Sequence, residues 1–556
     1  MERNLKILLL ATVLTFVVSL IVFQAFKIPP PQGPLAKAIE KIYETFAMKH
    51  CPLLELSKKY NLNVECNVDI NSPVVAFSEA LALTVFVDAV LGTLLYWRKR
   101  LTFVMIGVAL LLFLGAAPFE MILEHMELGL ILFLISMMVI VEYLSEVGVL
   151  GWITIKLVKF SKFKPLRFIL IISLLSWLMA ALVDEVTSIV FVTKVVLSIA
   201  GFLDFNPIPL VIYTVLATNI GSSATMIGNP IGIYIALQSG KTFMDFLEWA
   251  TPGSILALIL LIPIGIVWLG KLGLFKKMKE KGSELVLDEW TALGITSEAY
   301  EKYKRGELSE IERKEIEEKI KLFKRGWIFF ITVLAIIALH TEIAKAINLA
   351  LAALYGLLGG ESIHSEVTPD AVLIFGPVMI AALVMFLHRE PRELIEKGVE
   401  WWTLVFFMFL FAIASALSYT GVTDKMAYAL VQSVGGLTFS STITLVILIA
   451  VISALVSAFL DNMPVVVALS PVVKTLIEIG LPGGDLLWWA LLYGATMGGN
   501  MTMIGSTANI VALGILEKQG KYVSFWEWFK IGLITVIITL GGALGLLILH
   551  GALVYG

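Results

Sequence analysis

Apolar runs recur along this chain from end to end, separated by short polar stretches. A helix needs about 20 apolar residues to cross the hydrocarbon core of a bilayer. The pattern predicts such segments starting near Leu5, Val75, Leu101, Leu128, Phe168, Pro209, Pro252, Trp327, Ala371, Trp402, Ile443, Leu487 and Phe529. The first run, 5–23, follows Arg3 and Lys6. It is longer than a usual signal core, and "QAFKIPPPQG" beyond it lacks a clear small-residue cleavage site, so it is read as a retained transmembrane helix. The expected class is an all-α polytopic membrane protein.

Lys and Arg collect in cytoplasmic loops. Arg98 to Arg100, Lys156 to Arg167, the long segment 271–325 and Arg389 to Lys397 mark four such loops, while 340–370, with one Lys and no Arg, suits the outside. The expected division follows: an N-terminal transmembrane helix (1–26), an extracytoplasmic loop (27–74), an additional transmembrane helix (75–100), a transport repeat (101–273), a cytoplasmic charged linker (274–326), a connecting transmembrane helix with an outer loop (327–369), and a second repeat (370–550). The N-terminus then lies in the cytoplasm of a cell-membrane protein and the C-terminus outside.

Composition agrees with the pattern. Of 556 residues 58% are hydrophobic and only 15% charged, against about 25% charged in soluble proteins. The net charge of −3 leaves no basic patch for nucleic acid. Cys51 and Cys66 lie in the expected outer loop, where a disulfide and two free thiols are both open. In the linker, Glu310 with Lys314 and Glu315 with Lys319 are spaced i,i+4 for a solvated helix.

The chain repeats itself. "LVDEVTS" at 182 pairs with "FLDNMPV" at 459, and "TMIG" occurs at 225 and 502; both Asp184 to Asp461 and Thr225 to Thr502 are 277 positions apart. "FLEW" at 246 echoes "FWEW" at 525, and Glu127 and Gly148 precede Glu400 and Gly421 at nearly the same interval. The basic cluster follows the first copy's opening segment, whereas "SYTGVTDKMAYALVQSVGG", with one Lys, follows the second. The copies are therefore expected to be inverted, the architecture of many secondary transporters, with the site on discontinuous helices near the midplane.

Two matched segments, "TNIGSSATMIGNPIGIYIA" (218–236) and "GATMGGNMTMIGSTANIVALG" (494–514), interrupt apolar runs with Gly, Asn, Ser and Thr. In lipid every backbone polar group needs a partner, so such breaks point to a cavity; close packing of small residues is the competing account. Asp184 and Asp461 recur, with Glu185 and Asn462 beside them. An intramembrane carboxylate suits cation binding or proton exchange; helix capping is the alternative use. The candidate ion or substrate residues are Asp184, Glu185, Asn219, Thr225, Asn229, Asp461, Asn462, Asn500, Thr502, Ser506, Thr507 and Asn509. Na+ would bind at these same residues. Carboxyls without obvious cationic partners favour a secondary transporter exchanging Na+ for H+, with no resident cofactor. An oxyanion, arsenite or carboxylate permease is the second reading, in which Lys194 and Lys474 could supply positive charge. A channel is the third.

Enzyme chemistry finds no support. "SGKT" at 239 has Ile235 where a P-loop needs Gly, and neither an HExxH nor a G-x-S-x-G nucleophile stands out.

"GVEWWTLVFFMFLF", "SAFLDNMPVVVALSPVV" and "MGGNMTMIGSTANIVALGILEKQGKYVSFWEWFKIG" resemble the ArsB/NhaD permeases of the ion transporter superfamily, nearest the branch of the melanosomal P protein. The resemblance covers about 100–550. It implies re-entrant hairpins, broken helices and elevator-like motion, commonly in a homodimer. By position, Asp184 and Asp461 match the family's hairpin Asp. Asn219, Thr225, Asn500, Thr502, Ser506 and Asn509 fall in its broken-helix motifs. One departure stands out: the usual "IGDPPN" is here "IGNPIGI", so Asn229 replaces a carboxylate. Glu185, where Asn is common, would compensate.

Overall fold

The computed structural model describes residues 2–51, 68–284, 287–357 and 366–556. All regular elements among them are helical. The chain opens with α1 (Glu2–Ala25), α2 (Ala36–His50), α3 (Pro73–Leu95), α4 (Arg100–Phe113) and α5 (Phe119–Glu124). It continues with α6 (Leu128–Glu146), α7 (Val149–Phe160), α8 (Pro165–Leu182), α9 (Glu185–Phe202), α10 (Pro207–Gly221), α11 (Pro230–Ser239) and α12 (Thr251–Lys271). A polar section holds α13 (Leu274–Lys281) and α14 (Ser297–Arg305), followed by α15 (Glu310–Ala338), α16 (His340–Leu357), α17 (Pro369–Leu387) and α18 (Pro391–Glu396). The chain closes with α19 (Trp401–Thr420), α20 (Val422–Ser433), α21 (Phe439–Ser457), α22 (Asn462–Glu478), α23 (Leu486–Gly498), α24 (Thr507–Glu517) and α25 (Phe525–Tyr555).

Among the described residues ten helices are long and apolar enough to cross a membrane, and the pair Glu310–Ala338 + His340–Tyr355, bent by 80°, makes up to eleven. Many of their large apolar side chains point outward, as Leu10, Val13 and Ile21 of α1 do; lipid takes the place of a protein partner there. This is a multi-pass membrane protein.

The local chemistry explains the boundaries. Proline occupies the first turn of α3, α8, α10, α11 and α17, where its missing N–H costs nothing. Ser72, Asn206, Thr368 and Thr438 cap α3, α10, α17 and α21 through their side-chain oxygens. Helices α6–α12 and α19–α25 run in the same order. Their first six members match in length: 19 and 20 residues, 12 and 12, 18 and 19, 18 and 17, 15 and 13, 10 and 11. Gly148 and Gly421 cap α7 and α20 with φ of 82° and 95°, a left-handed geometry that favours glycine.

The structure refines several expected boundaries. The run at Leu101 gives α4 of only 14 residues, too short to span by itself. The segment 27–74 contains α2, whose Ala38, Ile39, Ile42 and Phe46 are buried. Cys51 ends that helix in a disulfide; Cys66 lies outside the described residues. No break separates linker from membrane at 326. A Ser309/Glu312 capping box starts α15, which continues unbroken through Trp327. The Lys314–Glu310 and Lys319–Glu315 pairs form at 2.8 Å each on its exposed face.

The chain divides into two units. One comprises Met1–Leu128, Trp401–Gly498 and Leu544–Gly556; the other comprises Gly129–Glu400 and Gly499–Ala543. In the first, α1, α4 and α19 pack on α3, and α21 lies along α23. A Cβ on Gly494 or Gly498 would stand 2.5 Å from Ala450 O or 2.3 Å from Ala454 Cα. Close helix packing therefore accounts for these two glycines of the second broken segment. In the second unit, α8, α9, α12 and α24 surround α10.

The first unit also buries a charged pair. Glu79, set in an apolar run, is fully buried, with Oε2 2.7 Å from the equally buried Lys425 Nζ. Beside them Lys49 pairs with buried Asp424 at 2.9 Å. Removing one partner of a buried pair leaves an uncompensated charge, at a cost of about 3–5 kcal/mol. Thermal unfolding of the purified protein should show Lys425→Met strongly destabilised and the double variant Glu79→Leu/Lys425→Leu largely restored. A Lys425→Met protein as stable as the parent would show that the pair contributes nothing.

Candidate functional site

The sequence placed its candidates at two kinds of position, and the structure treats them differently. Asp184 and Asp461 sit at helix starts. Asp184 Oδ1 accepts from Val186 N at 2.7 Å and Thr187 N at 2.9 Å, capping α9. Asp461 Oδ1 accepts from Asn462 N at 2.9 Å at the start of α22. Both carboxyls thus serve as caps, the alternative use noted for them. Glu185, the first residue of α9, is buried. Asn462 is buried in the first unit, its Oδ1 2.7 Å from Ser457 Oγ.

In the second unit, Asn219, Asn500, Ser506 and Asn509 form one fully buried cluster. The amide orientations follow from the network. Asn509 Nδ2 donates to Gly499 O and Thr502 O, both at 2.8 Å, which exhausts its two protons. Its Oδ1 must then face Asn219, which donates to it at 2.9 Å and to Asn500 Oδ1 at 2.8 Å. Asn219 Oδ1 is left to accept from Ser506 Oγ at 3.2 Å. Asn500 Nδ2 in turn reaches Leu216 O at 3.2 Å. Ser506 also caps α24, accepting from Ala508 N. Thr507 is the first residue of that helix, and Thr502 lies in the turn before it.

The first break, 222–229, joins the same network. Asn229 caps α11 by accepting from Gly232 N at 3.0 Å, and donates to Ser222 Oγ at 3.0 Å. Ser222 Oγ donates to Asn219 O at 2.9 Å. Thr225 Oγ1 donates to Ala181 O, tying the break to the end of α8. The N-termini of α11 and α24 are thereby both linked to Asn219 at the C-terminal end of α10. Space is tight: a Cβ on Gly221 would lie 2.3 Å from Trp177 O, and one on Gly228 2.5 Å from Ser222 O.

The carbonyls that these breaks free are taken by protein donors. Ile220 O accepts from Ser254 and Ser223 at 2.7 Å each, Ala224 O from Thr251 at 2.7 Å, and Asn500 O from Trp528 Nε1 at 3.0 Å. No group of three or more His, Cys, Asp or Glu suited to a metal ion occurs among the described residues. Lys194 and Lys474, considered as charge for an anion, are exposed.

The model of the citrate transporter family (CitMHS) matches residues 91–494. This chain belongs to that family. Its relatives include an uncharacterized transporter of Mycobacterium tuberculosis, 31% identical over 413 residues, 74% of this chain and 83% of the relative. A 46 kDa membrane protein of Mycobacterium leprae is 30% identical over 446 residues, 78% and 90% of the two chains. The P protein of Homo sapiens is 27% identical over 522 residues, 88% of this chain and 60% of P protein. The YdaH transporter of Alcanivorax borkumensis aligns over 77% of this chain and 86% of its own at 15% identity, with a TM-score of 0.49. As a CitMHS member the chain is a secondary transporter. The P-protein likeness read from the motifs thus recurs among relatives, while the family model that matches is the citrate transporter's.

Sequence reasoning missed the supporting donors Ser222, Ser254 and Trp528. Ser254 lies outside the motifs and Trp528 closes the FWEW echo with no mark of a donor role, so only the requirement that freed carbonyls be paired could have called for them. The Asn229 amide gives a sharp test. An ionised Asp there cannot donate to Ser222, whose own proton goes to Asn219 O. Asn229→Asp should therefore lower the melting temperature at pH 8 and recover part of the loss at pH 5, where a protonated carboxyl donates again. A pH-independent difference would remove the donor role. Asn509→Ala orphans two carbonyls, each costing about 1–3 kcal/mol, and should unfold at clearly lower temperature than Asn462→Ala.

Proposed function

We propose that this CitMHS transporter carries a small, multiply charged carboxylate across the membrane, driven by a cation gradient. The observation behind this reading is the occupation of the freed carbonyls. A broken helix can coordinate a cation through such carbonyls, or an anion through its N-terminus. Here side-chain donors fill the carbonyls of both breaks, while neutral residues, Asn229 and Ser506, cap the two N-termini tied to Asn219. The hydrogen-bonded cluster contains no carboxylate. That favours negative charge on the substrate. The name of the matching family supports the same substrate class. Asp184, Glu185 and Asp461 would hold the coupling proton or Na+ at the helix starts. A homodimer with elevator-type motion, a cytoplasmic N-terminus and an outward C-terminus complete the proposal.

Sodium/proton antiport without a carboxylate is the second reading. The adjacent carboxyls Asp184 and Glu185, with Glu185 buried, favour it.

Reconstituted proteoliposomes distinguish the two. With radiolabelled citrate, saturable uptake should depend on an imposed proton or Na+ gradient and be competed by other tricarboxylates. Asp184→Asn should abolish the gradient dependence, and Asn219→Ala should reduce uptake about 10-fold or more, the factor of about 1.4 kcal/mol. A pH dye read in the absence of any carboxylate supplies the other arm. Cation-driven collapse of the pH gradient, with no citrate uptake, would establish antiport instead.

A further inference from the structure

We infer that the pocket where α6, α15 and α17 end or enter the membrane is a binding site for a phosphate-bearing anion, separate from the transport site. The cavity is about 540 Å³, large enough for a lipid headgroup or a small phosphate. It sits where α15 changes character. Lys319, Lys321 and Arg325 lie on the charged side, and the apolar stretch begins at Gly326 and Trp327. The Trp327 and Trp152 rings meet edge-on at 6.2 Å just beyond. Tryptophan concentrates at the headgroup level of membranes, so the pocket opens where lipid phosphates lie.

The charges in its wall do not cancel. Glu315 is paired with Lys319 at 2.8 Å, Glu318 with Arg389, and Glu146 lies 2.9 Å from His388 Nε2. Lys321 and Arg325 take part in none of these pairs. They stand i,i+4 on α15 and both line the cavity, which puts them on one helix face. The wall therefore carries a net positive charge, +2 with His388 protonated and +1 with it neutral. A third donor comes from a different helix. Tyr143 of α6 is buried and lines the same cavity. Arg325 interacts with its hydroxyl both electrostatically and as a side-chain hydrogen-bond donor. Arginine can only donate, so the phenol proton still lacks an acceptor, which is costly when buried, and a bound oxyanion supplies it. An arginine fork, a mobile lysine and a phenol suit the several oxygens of a phosphate.

The test uses the purified full-length protein in a neutral detergent. Thermal unfolding is titrated with phosphatidylglycerol, phosphatidylcholine or inorganic phosphate, with ionic strength matched by sodium chloride. Phosphatidylglycerol or phosphate should raise the melting temperature above the phosphatidylcholine and chloride controls. The double variant Lys321→Gln/Arg325→Gln should lose at least about 10-fold in apparent affinity. A response to the lipid alone assigns the site to a headgroup; a response to inorganic phosphate assigns it to a free anion. Should the double variant fail to fold, Tyr143→Phe removes a single oxygen and should still weaken the response. Titrations equal to the neutral controls, or unchanged in these variants, overturn the proposal.

Discussion

A peptide group within a bilayer has no water to fall back on, and this requirement governs how the helices of this protein are interrupted. When α10 stops at Gly221, its last carbonyls need donors, and the residues around it are those that provide them. Ser222, Ser223, Ser254 and Asn500 each aim a proton at a carbonyl of that helix. The second break is closed in the same way by Asn509 and Trp528. Asparagine suits the purpose because a single side chain offers two protons and an acceptor. Three of them can then interlock without placing a charge in the interior.

That absence of charge shapes the electrostatics. Two carboxyls at matched positions of the repeat, Asp184 and Asp461, are held at helix N-termini, where their oxygens accept from backbone N–H groups. The neutral cluster and the capped carboxyls are therefore distinct environments. In the proposed reading, one would contact an anion and the other would store a proton or small cation. Secondary transport needs both, since a substrate moves against its gradient only when a second species moves with its own.

The sequence shows the repeat, the two breaks and the paired Asp residues because each leaves a local mark: a 277-residue spacing, or Gly and Asn inside an apolar run. What it conceals depends on partners far away along the chain. Lys425 stands in a polar stretch and reads as a loop charge, yet it neutralises Glu79, 346 positions earlier. Neither residue announces the other. Asn229 reads as a lost carboxylate, whereas its amide protons are what the fold uses. The linker's end at 326 is drawn from a change in composition. Composition marks where solvent gives way to lipid, but a helix ignores that boundary as long as its backbone bonds continue.

Helix α15 makes that last point physical. Its 29 residues run from the capping box at Ser309 into the apolar core, a rod of roughly 44 Å at 1.5 Å per residue. The charged half is therefore no flexible tether but a rigid pointer fixed to a membrane helix. Any tilt of the buried half is carried to its polar end and magnified there by lever-arm length, so the outer tip reports small rotations inside the bilayer as large displacements in water.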